Sequence, residues 1–228
     1  MFKELLSVFR SSDPLLAMGD NFSEMLTLTC EMSISAGDLF FSGVVSPQER
    51  GDLYRRDVRV NQLQREIRKQ VVAHLSLSDN RADVPYGLLL VSLVKDVERM
   101  GDYAKNLADV NDIRSGAFEE DDVVMELRDI RRHVEESFQA LSVVFASSDR
   151  ERALALIRKG RDTAHRCDML IARIARSAYN ANAATSLALG TRYYKRLGGH
   201  SLNVLSSIVM PIHKIDYFDE DEIPRITH

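Results

Sequence analysis

Between Phe22 and Phe40 the apolar or small residues Phe22, Met25, Leu26, Thr29, Met32, Ala36, Leu39 and Phe40 recur in steps of three and four. That step places them on one stripe of an α-helix. It returns at Leu53, Val60, Leu63, Ile67, Val71 and Leu75, and again at Leu90, Leu93, Val94, Val97, Met100, Gly101, Ala104 and Leu107. Two further runs follow, one from Val123 through Leu127, Ile130, Val134, Phe138 and Leu141 to Val144, the other from Leu154 through Ile157, Ala164, Cys167 and Ile171 to Ile174. A last helical segment runs to about Met210 and is stopped by Pro211. No stretch shows the alternating pattern of a half-buried strand.

Local signals mark the ends. Asp13-Pro14 caps and opens the first long helix, and Gly43 closes it. Ser46-Pro47-Gln48-Glu49 has the form of a capping box and opens the second. Ser78 to Pro85 reads as a loop. The third helix is expected from about Pro85 to Arg114, ended by Ser115-Gly116, and the fourth from Glu119 to Phe145. Ser147-Ser148-Asp149 with Glu151 caps the fifth, and Asn180-Ala181-Asn182-Ala183 breaks the chain before the sixth. Residues 1–10, with Phe2, Leu5, Leu6 and Phe9 on one side, are expected to form a short amphipathic helix. Six long helices with short connections imply an all-α chain of two tandem antiparallel three-helix bundles, residues 1–116 and 117–228.

Composition narrows the function. Of 228 residues 45% are hydrophobic, ample for a packed core, and a net charge of −4 argues against nucleic acid, which selects basic surfaces. Cys30 and Cys167 have no metal-ligand spacing and read as buried free thiols. The first ten residues lack the apolar run of a signal peptide, and the longest near-apolar run, Gly87 to Val94, is too short to span a membrane. A cytoplasmic protein with no direct membrane insertion is expected. No nucleophile elbow, P-loop, H-E-x-x-H or Glu-x-x-His is present, so an enzyme is not expected.

The third helix carries the candidate chemistry. Glu98 and Asp102 are four apart, so their carboxylates share a face and repel. Two readings are open. A hard cation held by oxygen ligands offsets the repulsion, or Lys95, Arg99 and Lys105 neutralise both groups in local ion pairs.

Asp96-Val97-Glu98-Arg99-Met100-Gly101-Asp102, followed by Asn106, resembles the signature helix of the PhoU family of phosphate-uptake regulators. That family repeats its three-helix unit, and Lys195-Arg196-Leu197-Gly198-Gly199-His200-Ser201-Leu202-Asn203-Val204 aligns with Glu98 to Leu107. The carboxylates do not recur: Lys195 stands for Glu98 and Gly199 for Asp102. The resemblance implies a metal site in the first repeat formed by Asp57, Asn61, Glu98 and Asp102, holding iron, manganese, zinc or magnesium. Asn61 departs from the carboxylate usual there. The matching place in the second repeat, with Arg161, His165, Lys195 and Arg196, suits an anion or no ligand. The resemblance further implies a homodimeric negative regulator that contacts a membrane phosphate transporter, a sensor histidine kinase, or both. Rival readings are an accessory subunit of an ion-coupled phosphate carrier and a carboxylate-bridged metalloenzyme. Gly198-Gly199 within a helix suggests close approach of another backbone, and His200 a hydrogen bond inside the bundle. The tail is expected to pack Ile215, Tyr217 and Phe218 on the bundle and to leave Asp219-Glu220-Asp221-Glu222 solvated.

Overall fold

The computed structural model describes residues 14–43, 46–114 and 116–215. The expected helix at residues 1–10, the Asp13 cap, Tyr217, Phe218 and the acidic run lie outside them. Six helices carry the described chain: α1 (Pro14–Ser42), α2 (Pro47–Leu75), α3 (Val84–Asp109), α4 (Asp122–Ser147), α5 (Arg150–Ala175) and α6 (Ala181–Val209). There is no strand among the described residues.

The caps work as their residue types dictate. The Ser46 hydroxyl accepts from the Glu49 N–H at 3.1 Å and the Glu49 carboxylate accepts from the Ser46 N–H at 3.3 Å, so two orphan donors of α2 are satisfied reciprocally. Asp121, Asp149 and Asn180 cap α4, α5 and α6 with side-chain oxygens. Gly43, at φ +69°, takes the left-handed turn that ends α1 without a Cβ penalty. Two boundaries differ from expectation. The α-helical part of α3 ends at Asp109 and tightens into a 3₁₀ turn over Val110–Ile113, where the Asn111 amide donates to the Leu39 and Ala108 carbonyls. And α4 starts at Asp122, because Asp121 is spent as its cap.

Helices α1, α2 and α3 pack as one antiparallel group, and α4, α5 and α6 as another. Most of the expected stripe is buried, including Leu53, Val60, Leu63 and Ile67 on α2 and Leu127, Ile130 and Val144 on α4, but Leu75, Ala164 and Ile171 are only half-buried and on α5 Leu170 is buried in place of Ile171. The two groups share a single hydrophobic core. Helix α3 lies against α6, and α1 against α4, where the Phe22 and Phe145 rings meet at 4.8 Å. Phe40 of α1 is fully buried against Phe41, Phe118 and Tyr194 of α6. Cys30 and Cys167 are free thiols, and Ile215 is buried as expected.

The tight glycines are not the expected ones. A Cβ on Gly199 would meet nothing within 4 Å, and one on Gly198 only a Val134 methyl at 3.7 Å. Close approach occurs instead at Gly190, where a Cβ would lie 2.3 Å from the Phe40 ring, and at Gly160, 2.6 Å from Leu202.

Candidate functional site

On α2, Asp57 lies four residues after buried Leu53 and three before buried Val60, so its helical phase turns it toward α3. It is 6% exposed and faces Gly101. Its Oδ2 accepts from Lys105 Nζ at 2.7 Å and from Asn61 Nδ2 at 3.2 Å, while its Oδ1 is buried with no hydrogen-bond partner. Lys105 Nζ also reaches Asp102 Oδ1 at 3.1 Å. Arg99 closes the outer side, 2.9 Å from Asp102 and 3.6 Å from Glu98. Helices α2 and α3 therefore bring Asp57, Asn61, Glu98 and Asp102 to one face, with the Lys105 ammonium bridging the two aspartates.

The electrostatics follow. Burial raises the Glu98 pKa, and the neighbouring Asp102 charge adds to it against the pull of Arg99. Burial works against the Lys105 charge, but its hydrogen bonds to Asp57 and Asp102 outweigh that and hold its pKa above that of a free lysine.

The donors are hard oxygens of the kind that a divalent ion takes, but the unpartnered Asp57 Oδ1 is buried beside Gly101 and Met32. As arranged, the place of a cation is taken by Lys105. Among the described residues no three His, Cys, Asp or Glu side chains are grouped to hold a metal. The local ion pairs of Arg99 and Lys105 are the reading that this geometry realises. Arg56 and Arg59, also on α2, turn away to Glu31 and Glu24 of α1.

The second repeat inverts the site. Lys195, in the place of Glu98, binds both oxygens of Asp168 at 2.6 Å, and Gly199, in the place of Asp102, leaves open space. Beside it Lys159, His133 and Ser137 line a cavity of about 20 Å³, room for one water. Burial lowers the His133 pKa; among the surrounding charges, Asp129 opposes that shift while Lys159, Arg132 and Arg166 reinforce it.

Sequence reasoning gave no role to Asp96. It is 1% exposed on α3 and accepts from Asn203 of α6 at 2.7 Å, with His200 Nδ1 at 2.8 Å on the same oxygen. His200 thus bonds across the joint between repeats rather than inside its own. Tyr103 stacks on the His200 ring at 5.6 Å and meets Tyr193 at 6.2 Å. The alignment that carries Glu98 onto Lys195 also carries Asp96 onto Tyr193 and Tyr103 onto His200. The joint is therefore pseudo-symmetric, with a polar pair on one side and an aromatic pair on the other. A signal was present: Asp96 falls three after Leu93 and four before Met100, a charged residue in the buried phase of the helix.

Residues 22–110 match the family model of the PhoU domain, which spans α1 to the end of α3. No curated protein matches the chain. Among solved structures, the phosphate transport system regulatory protein PhoU from Streptococcus pneumoniae is 17% identical, with a TM-score of 0.75 over 86% of this chain and 93% of its own. PhoU from Pseudomonas aeruginosa is 19% identical, with a TM-score of 0.72 over 93% of this chain and 99% of its own. These likenesses support the all-helical fold.

Proposed function

We propose that this chain, whose residues 22–110 match the PhoU domain, is a regulator of phosphate transport. The match of that domain carries the reading, and whole-chain similarity to two PhoU structures supports it. The regulator acts by contact, docking rigid helical faces on a phosphate transporter, a sensor kinase, or both, and restraining uptake and starvation signalling. No helix among the described residues is long and apolar enough to cross a membrane.

The site supports interaction better than chemistry. Its carboxylates are engaged by Lys105 and Arg99 in ion pairs. The test is deletion of the protein, with phosphate uptake and phosphate-starvation transcripts measured in phosphate excess and limitation. A change in either is expected. No response under both conditions overturns the regulator. Recovery of a transporter or kinase from membranes with the tagged protein identifies the partner; an ion-coupled carrier in its place would favour the accessory-subunit reading.

A further inference from the structure

We infer that the end of the first repeat where α2 turns into α3 is a peripheral docking surface for an anionic lipid bilayer. Two independent observations carry this, one apolar and one electrostatic.

The antiparallel packing of α1, α2 and α3 gathers four segments at this end: the start of α1, the last turns of α2, the 3₁₀ turn at Ser78–Asp83 and the start of α3. Asn21 of α1 donates to Gln70 of α2 at 3.1 Å, His74 meets Asp83 at 2.8 Å, and Gly87 of α3 faces Leu75 and Val71. Around them lie Leu16, Val72, Leu77, Val84 and Leu88, five of the twelve exposed large apolar side chains among the described residues. Their exposure runs from 37% at Val84 to 63% at Leu16. Scattered singly, such side chains need no explanation; gathered at one end, they mark an interaction surface.

The same end carries cations without counter-ions. Arg65, Arg68, Lys69 and Arg81 form no ion pair among the described residues, whereas Arg59, Arg99 and Lys105 all do. On α2, Val72 lies seven residues after Arg65, four after Arg68 and three after Lys69, so these charges and the aliphatic side chain face the same way. Asp83 is held by His74, and Glu66 lies 3.7 Å from Arg59. That leaves Asp20 and Asp79 against four positive charges.

Unpaired cations beside exposed aliphatic side chains match the chemistry of an anionic bilayer surface. The cationic heads meet lipid phosphates in the negative surface potential, and the aliphatic tips enter the boundary between headgroups and acyl chains. A peptide partner fits less well. It takes a groove or a sheet edge, whereas these side chains come from four segments around the end of a bundle, to which a fluid surface moulds. The chain lies on the bilayer and does not span it, since no described helix is long and apolar enough to cross. With a net charge of −4, its attraction to anionic lipid rests on this patch.

The inference holds whether or not the chain regulates phosphate transport. The test is sedimentation of the full chain with vesicles of phosphatidylcholine alone and of phosphatidylcholine with phosphatidylglycerol, at low and physiological salt. Expected is binding to the anionic vesicles only, weakening as salt rises. Arg65→Gln with Arg68→Gln and Lys69→Gln should lower the partition at least about tenfold. Val72→Ser with Leu77→Ser should lower it as well. Arg152→Gln with Arg158→Gln and Arg196→Gln removes the same charge from exposed positions of the second repeat and should leave binding unchanged. Circular dichroism checks that each variant is folded. Wild type that stays in the supernatant with anionic vesicles at low salt overturns the inference. So does an equal loss in the two triple-glutamine variants, because net charge and not this patch then governs. If wild type ignores vesicles but Val72→Ser with Leu77→Ser abolishes self-association or capture of a membrane protein, the patch belongs to a protein partner and the inference also falls.

Discussion

Gly190→Ala and Gly199→Ala add the same methyl group to the same helix and are expected to move stability in opposite directions. Within a helix, alanine is favoured over glycine by about 0.8–1 kcal/mol. At Gly199 no heavy atom lies within 4 Å of the added carbon. The full gain should appear, raising the melting temperature by about 2–4 °C for a chain of this length. At Gly190 the added carbon would sit 2.3 Å from Cζ and 2.6 Å from Cε2 of Phe40. That ring is fully buried, with Phe41 at 4.9 Å and Phe118 at 5.2 Å, so it has no free direction in which to retreat. Overpacking of this kind costs about 1–3 kcal/mol, which exceeds the helix gain over most of its range. A net loss of up to about 2 kcal/mol is expected. Thermal and urea unfolding followed by far-UV circular dichroism measure both variants. Phe40→Leu combined with Gly190→Ala should cost less than the two singly, because the shorter side chain frees the space. If Gly190→Ala is as stabilising as Gly199→Ala, α1 and α6 do not meet as described, and the shared core of the two repeats is wrong.

Asp96→Ala strips His200 and Asn203 of a buried acceptor and should destabilise by about 1–3 kcal/mol, the cost of leaving polar groups unpartnered in the joint; urea unfolding should show His200→Ala adding little on top. Acid should weaken the second repeat. Hydrogen bonds from Arg132 and Arg166 hold the Asp129 pKa down at about 2, so its contribution is complete above the unfolded pKa near roughly 3.9 and is lost as pH falls through about 2. Its carboxylate is 36% exposed, so screening keeps the effect below about 1 kcal/mol. Glu98, whose pKa is raised, contributes with the opposite sign and gains on protonation. Urea midpoints measured from neutral pH to pH 2 should fall in Asp129→Asn less than in wild type.

The helices and their ends were legible because the terms that decide them are local. A capping box spans four residues, and an apolar stripe is read from steps of three and four along one segment, so Ser46, Gly43 and the Leu53-to-Ile67 stripe could be placed from the chain alone. The helix crossings were not. Whether Gly190 or Gly199 is crowded depends on which ring arrives from α1, and no spacing within α6 encodes that. The metal-like pattern of Asp57, Asn61, Glu98 and Asp102 was visible, but its neutralisation depends on the reach of Lys105 to a carboxylate 48 residues earlier in the chain. Asp96 betrayed itself by lying in a buried phase, yet its partners are 104 and 107 residues away. Desolvation makes a buried charge take a partner, and only the packing of α3 on α6 decides which side chain is close enough to serve.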